Sequence, residues 1–219
     1  LPIQSSENNL FLSTLNPAAI SFTGEIGGAG AIYLNPALSG GGTLTISATS
    51  TRTTPTYLGS GTVILPSLAD GGVASPIGMS SADPSNLVLG PGTLRYTGAD
   101  VTIDRGITLN PGTLRASILS HDSDITLTGS FLSQSGAFIK RGSGTLTLAG
   151  SGTNVLGCQH SNINGFAPYP ANGDSPVTGF AAVTIADGRL VIDAPAQTNM
   201  VLSEFVIGGY TTDQPGAET

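Results

Sequence analysis

The chain has 219 residues and a formal net charge of −7, and 81 of its residues are Gly, Ser or Thr. Apolar residues still make up 39% of it, in short Val/Ile/Leu runs, which is enough to build the core of one domain. A coiled coil is excluded by the scarcity of Glu and Lys, collagen by the lack of a three-residue glycine period, and nucleic-acid binding by seven Lys and Arg against fourteen Asp and Glu.

The chain opens at Leu1, and no basic stretch leads into an apolar one, so no signal peptide is read. A processed mature protein or a segment of a longer one is expected. No apolar run reaches the length of a membrane span. Leu10, Phe11 and Leu12, followed by Ile20 and Phe22, form an apolar start within residues 1–22. They are expected to cap a first coil or to pair with another subunit's edge.

From Gly42 a motif recurs: Gly, usually Thr, then alternating apolar residues. It reads Gly42-Thr43-Leu44-Thr45-Ile46, then Gly61-Thr62-Val63-Ile64-Leu65, then Gly92-Thr93-Leu94-Arg95-Tyr96. It returns as Gly112-Thr113-Leu114-Arg115-Ala116, Gly144-Thr145-Leu146-Thr147-Leu148 and, degenerate, Gly188-Arg189-Leu190-Val191-Ile192. Shorter alternating runs fill the gaps, at 86–89, 101–103, 107–109, 125–128 and 182–185. Period-two alternation is the mark of a strand with one buried face. The core is therefore expected from Leu44 and Ile46 through Leu94, Leu114 and Leu146 to Leu190 and Ile192. Glycine precedes each run where the chain must turn. The most helix-like stretch, 69–83, is broken by Gly71, Gly72, Pro76 and Gly78.

Many short strands with glycine turns admit a parallel β-helix or a β-sandwich. Recurrence of one motif favours the solenoid, in which stacked coils build a continuous core. The motif glycines are unevenly spaced, with short steps from Gly42 to Gly61 and from Gly92 to Gly112 and longer ones elsewhere. A coil of about 20 residues fits the short steps. The longer steps imply insertions, expected at 69–85 and 157–178. The predicted organisation is a single β-helix over 1–207 with a polar tail or linker at 208–219.

Several residues are candidates for chemistry. Arg95 and Arg115 stand at the same place in successive motif copies; stacked outside the helix, they could bind an anion or a polysaccharide carboxylate. The plainer reading is a solvated pair balanced by Asp100 or Asp104. Asp122 and Asp124, in His121-Asp122-Ser123-Asp124, share a strand face and are the candidate ligands for a hard cation such as Ca²⁺. The plainer reading is a polar turn before 125–128. Cys158 and His160 fall short of a zinc site, and no cofactor is expected. Neither a nucleophile elbow nor a phosphate loop is present. Five Tyr and no Trp make a poor platform for stacking sugars.

One stretch is specific. Gly136-Ala137-Phe138-Ile139-Lys140-Arg141-Gly142-Ser143-Gly144-Thr145-Leu146-Thr147-Leu148-Ala149-Gly150 resembles the autotransporter-associated β-strand repeat, also called the passenger-associated transport repeat. Phe138 stands where that pattern has Leu, and Arg141 where it has a small residue. The stretch 74–83 and Asn86-Leu87-Val88-Leu89-Gly90-Pro91-Gly92-Thr93-Leu94-Arg95-Tyr96 are similar to the same proteins. The resemblance implies a right-handed parallel β-helix at the cell surface or beyond, with Lys140 a structural lysine and no catalytic residues. The expected function is a non-catalytic extracellular structural protein: a stalk, an adhesin segment or a self-assembling fibre subunit. A module that binds carbohydrate or degrades polysaccharide is the alternative. The expected partners are copies of itself or adjoining segments of a longer chain, and a surface polysaccharide.

Overall fold

Strands of three to six residues stack here only on strands of neighbouring coils, always in parallel. The computed structural model describes residues 3–5, 9–14, 18–35, 42–110, 116–134, 137–150, 154–156, 183–193, 200–202 and 205–207. The described residues form eight coils with three faces. Coil 1 holds β1 (Ile3–Ser5), β2 (Leu10–Leu12) and β3 (Ala19–Phe22), and coil 2 holds β4 (Ile26–Gly28), β5 (Ile32–Leu34) and β6 (Thr43–Ile46). In coils 3 and 4 the first face shrinks to bridges at Ser50 and Ser75. Their other faces are β7 (Thr56–Leu58) with β8 (Thr62–Leu65), and β9 (Leu87–Leu89) with β10 (Thr93–Tyr96). Coil 5 is β11 (Val101–Ile103), β12 (Ile107–Leu109) and β13 (Ala116–His121); coil 6 is β14 (Ile125–Leu127), β15 (Phe131–Ser133) and β16 (Ala137–Arg141). Coil 7 is β17 (Thr145–Leu148), β18 (Asn154–Leu156) and β19 (Val183–Ile185); coil 8 is β20 (Arg189–Ile192), β21 (Met200–Leu202) and β22 (Phe205–Ile207).

The second and third faces are eight-stranded parallel sheets. The first is a β1–β4 pair, the two bridges and a four-stranded sheet of β11, β14, β17 and β20. This is a parallel β-helix, and the parallel pairing of every strand ladder removes the sandwich. The expected inward residues form one core: Leu44, Ile46, Val63, Leu65, Leu94, Ile125, Leu146 and Leu148 are all buried. Leu190 and Ile192, in the last coil, are half-buried against it. Leu114 lies outside the described residues.

The motif's register is subtler than its period. Copies at Gly42, Gly61 and Gly92 sit on the third face, and their strands pair motif position to motif position, Thr43 with Thr62 and Thr62 with Thr93. The next strand of that face is β13, where Ile118 pairs with Thr93 and Ser120 with Arg95. The step from Thr93 to Ile118 is longer than the motif step from Gly92 to Gly112, so the copy beginning at Gly112 is not the next rung. The copies at Gly144 and Gly188 begin strands of the first face, β17 and β20. A glycine corner followed by a half-buried strand is what every corner of a β-helix requires, so the motif recurs on two faces.

Buried polar side chains hold the corners. Tyr96 closes β10 and donates from its hydroxyl to the Ala99 carbonyl, 2.7 Å away. His121, its register partner on the next coil, donates from Nδ1 to the Ser123 carbonyl, 2.7 Å away. Lys140, fully buried, donates from Nζ to the Gly142 carbonyl. The insertion after β8 is pinned in the same way. Buried Arg105 donates to the carbonyls of Ala69, Val73 and Gly78 and to the Ser80 hydroxyl. The second expected insertion, 157–178, and the tail, 208–219, lie outside the described residues. Among the described residues no helix is long and apolar enough to cross a membrane.

The corner between the third and first faces can be tested at two residues. Gly142 has φ +80°, and a Cβ there would strike the His121 carbonyl. Gly142→Ala should therefore cost on the order of 2 kcal/mol, read as a lower denaturation midpoint. Burial holds the His121 imidazole below its ordinary value, and the nearby Lys140 ammonium adds to this, against the upward pull of the Ser123 carbonyl and of Asp124 and Asp122. Nε2 is buried with no partner among the described residues. As pH falls below about 6.5 the unfolded chain takes up a proton that the folded chain refuses, so stability drops on acidification. His121→Gln should remove up to about 1.4 kcal/mol per pH unit of that slope, measured by denaturant titration between pH 5 and 7.

Candidate functional site

Side chains that point outward along one β-helix face stack at the coil spacing, roughly 4.8 Å. On the second face this produces a ladder that nothing in the sequence motif announces. Phe11 pairs in register with Tyr33, Tyr33 with Tyr57, and Tyr57 with Val88. Thr108, Leu132 and Val155 continue the line. The first three rungs are rings in offset stacks, with centroids 4.8 and 4.7 Å apart and planes within 14°. Phe11 at the end of the stack is 59% exposed.

Beside the last ring lies a groove of about 220 Å³, bordered by Tyr33, Tyr57, Val88, Gly59, Gly90 and Asn110. Its floor is bare because Gly59 and Gly90 follow β7 and β9 at the corner. Gly90 cannot carry a side chain: a Cβ would stand 2.6 Å from the Leu58 carbonyl oxygen. No charged side chain borders the groove. Neither tyrosine hydroxyl has a hydrogen-bond partner among the described residues, unlike that of Tyr96.

The residues proposed from the sequence fall elsewhere. Arg95 is exposed on the third face with Ser120 beside it, where the motif spacing would have set Arg115. Arg115 lies outside the described residues, as do Cys158 and His160. Asp122 and Asp124 are exposed in the turn before β14. Asp122 Oδ1 accepts from the Ser143 amide at 3.1 Å and from its hydroxyl at 3.2 Å, and Asp124 Oδ1 accepts from the Thr145 amide at 2.7 Å. These amide hydrogen bonds are the main reason that both carboxyls sit below their ordinary value. The Asp124 amide in turn donates to Asp100 Oδ1 at 2.8 Å. The three aspartates thus clip one coil to the next. Among the described residues no group of three His, Cys, Asp or Glu side chains is placed to hold a metal.

At the start of the helix, Leu10 and Leu12 pair with buried Ile32 and Leu34, and Ile20 and Phe22 with buried Leu44 and Ile46. These four residues therefore stand on inward rungs, while Phe11 points out. Leu12 is buried, Leu10 and Phe22 are half-buried, and Ile20 is 42% exposed. Lys140 is a buried corner lysine. Burial pulls its ammonium below the ordinary lysine value, with Asp187, Asp122 and Asp124 opposing.

The chain is similar to the adhesin BmaC autotransporter of Brucella suis biovar 1 (strain 1330), with 42% identity over 112 residues. That stretch is half of this chain and about 3% of the length of the curated relative. No family model matches the chain, and no solved structure matches it. The likeness relates this β-helix to an autotransporter adhesin.

Proposed function

We propose that this chain is a non-catalytic, surface-displayed β-helical segment of an autotransporter adhesin passenger, a stalk unit built to continue into further coils. The observation that carries this reading is the open first coil. Ile20 occupies the rung of Leu44, which is fully buried, yet it is 42% exposed. Strands β2 and β3 each pair on one side only among the described residues. A core rung left in water is a surface that another coil would cover.

The repeat resemblance supports the same role, because each marked residue has a structural task. Lys140 holds the corner carbonyl, Gly142 takes the left-handed turn, and Leu146 and Leu148 enter the core. A Cβ on Gly144 would collide with the Ser123 carbonyl. The aspartates that an enzyme on polysaccharide would need are engaged with backbone amides. The setting read from the relative is the cell surface or the extracellular space.

The test compares one substitution in two contexts. In the isolated chain, Ile20→Asp should cost less than about 1 kcal/mol, because the side chain already meets water. In the longer parent chain it should cost on the order of 3 kcal/mol, as a carboxylate buried between coils. Equal small costs in both would sink the continuation. Electron microscopy of the parent should show a thin rod longer than the roughly 40 Å that eight coils span. Regular filaments of separate copies would make the chain a fibre subunit instead.

A further inference from the structure

The groove beside Tyr57 is a concave feature whose chemistry the stalk role leaves unused. We propose that it binds one pyranose ring of a neutral oligosaccharide. The aromatic ladder runs Phe11, Tyr33, Tyr57 and then meets Val88, whose side chain fills less of a rung than a ring does. The groove lies at this step of the ladder, bordered by both Tyr57 and Val88. A flat ring set against Tyr57 would take the place of the missing rung.

Size, charge and hydrogen bonding narrow the occupant. The volume of about 220 Å³ lies below the roughly 300 Å³ at which pockets for drug-sized ligands begin, so one ring fits. The lining carries no charge to meet a phosphate, carboxylate or ammonium group. The floor's amides are already engaged: Gly59 donates to the Leu34 carbonyl at 2.7 Å and Gly90 to the Leu58 carbonyl at 2.6 Å. Polar contact with a ligand therefore falls to the lining side chains, Asn110 and the hydroxyls of Tyr33 and Tyr57. An aromatic side chain of a protein partner would match the ring face but bring no hydroxyl groups to the phenols. A pyranose presents an apolar C–H face to the ring, and hydroxyls that take the place of water at the phenols.

The extent of the groove matters as well. Its lining comes from coils 2 to 5, so the groove runs along the helix axis and a linear saccharide could extend beyond the bound ring. The saccharide site is independent of the stalk reading, because filling the groove leaves the coil-to-coil surface at Ile20 untouched.

The test uses the full chain with chitotriose, maltotriose and lactose as neutral probes, sialyllactose as an acidic one and a tryptophan-bearing peptide as a protein-like one. Binding is followed by calorimetry and by perturbation of the tyrosine ring signals. At least one neutral probe should bind saturably with a Kd below about 1 mM, near −4 kcal/mol. Tyr57→Ala should weaken it at least tenfold. Val88→Phe should complete the ladder, abolish binding and leave Tm unchanged or higher, which separates loss of the site from loss of the fold. The proposal is overturned if no neutral probe binds, if only sialyllactose or the peptide binds, or if Val88→Phe leaves sugar affinity intact.

Discussion

Each coil meets its backbone hydrogen-bonding needs almost wholly through the coils above and below it, and the rest of the structure follows from that dependence. A backbone amide left unpaired inside a protein is costly. Coils must therefore stay in register even where an insertion lengthens one of them. The short step from β6 to β8 and the much longer step from β16 to β19 both end in matched ladders. Register then decides which side chains enter the core, which line the outer faces and which guard the corners.

Corners are where strands cannot help, and there side chains take over the pairing. Asp100, Asp124 and Asp122 accept amides of the next coil. Asn35 accepts the Thr14 amide of the coil before it at 2.8 Å, and Asn154 the Phe131 amide at 2.7 Å. At the insertion, the Asp104 amide donates to Asp70 Oδ1 at 2.9 Å and the Gly71 amide to Asp104 Oδ1 at 2.7 Å. Short carboxylates and amides suit this work because they reach one coil and no further. The same residues, read as a bare sequence, look like a cluster that could hold a cation.

What the sequence discloses divides along the same line. Alternation is local, so Leu44, Ile46, Leu94 and Leu146 are legible as core without any knowledge of topology. The role of Lys140 is legible only through the resemblance to the repeat, whose motif is continuous in sequence around it. The ring stack is not. Phe11, Tyr33 and Tyr57 each lie a full coil from the next, and only the true coil lengths bring them together. The same ignorance of coil length makes Arg95 and Arg115 look like neighbours, when the longer true coil sets Ser120 beside Arg95. Composition alone cannot show that two of the five tyrosines share a rung line beside a groove.

Burial also rewrites the charge balance. Arg52, Arg105 and Lys140 are all buried, and each spends its donors on backbone carbonyls: Arg52 on Gly27 and Gly30, Arg105 on the insertion, Lys140 on its corner. These three of the chain's seven cations are out of water, while Asp70, Asp83, Asp100, Asp104, Asp122 and Asp124 all face it. With a formal net charge of −7, the field around the helix is negative. Polyanions are repelled from such a rod at low salt. A cationic ligand would seek a carboxylate, and none borders the groove. Neutral ligands, recognised by shape, rings and hydroxyls, are the class that this groove can hold without opposing the field of the rod around it.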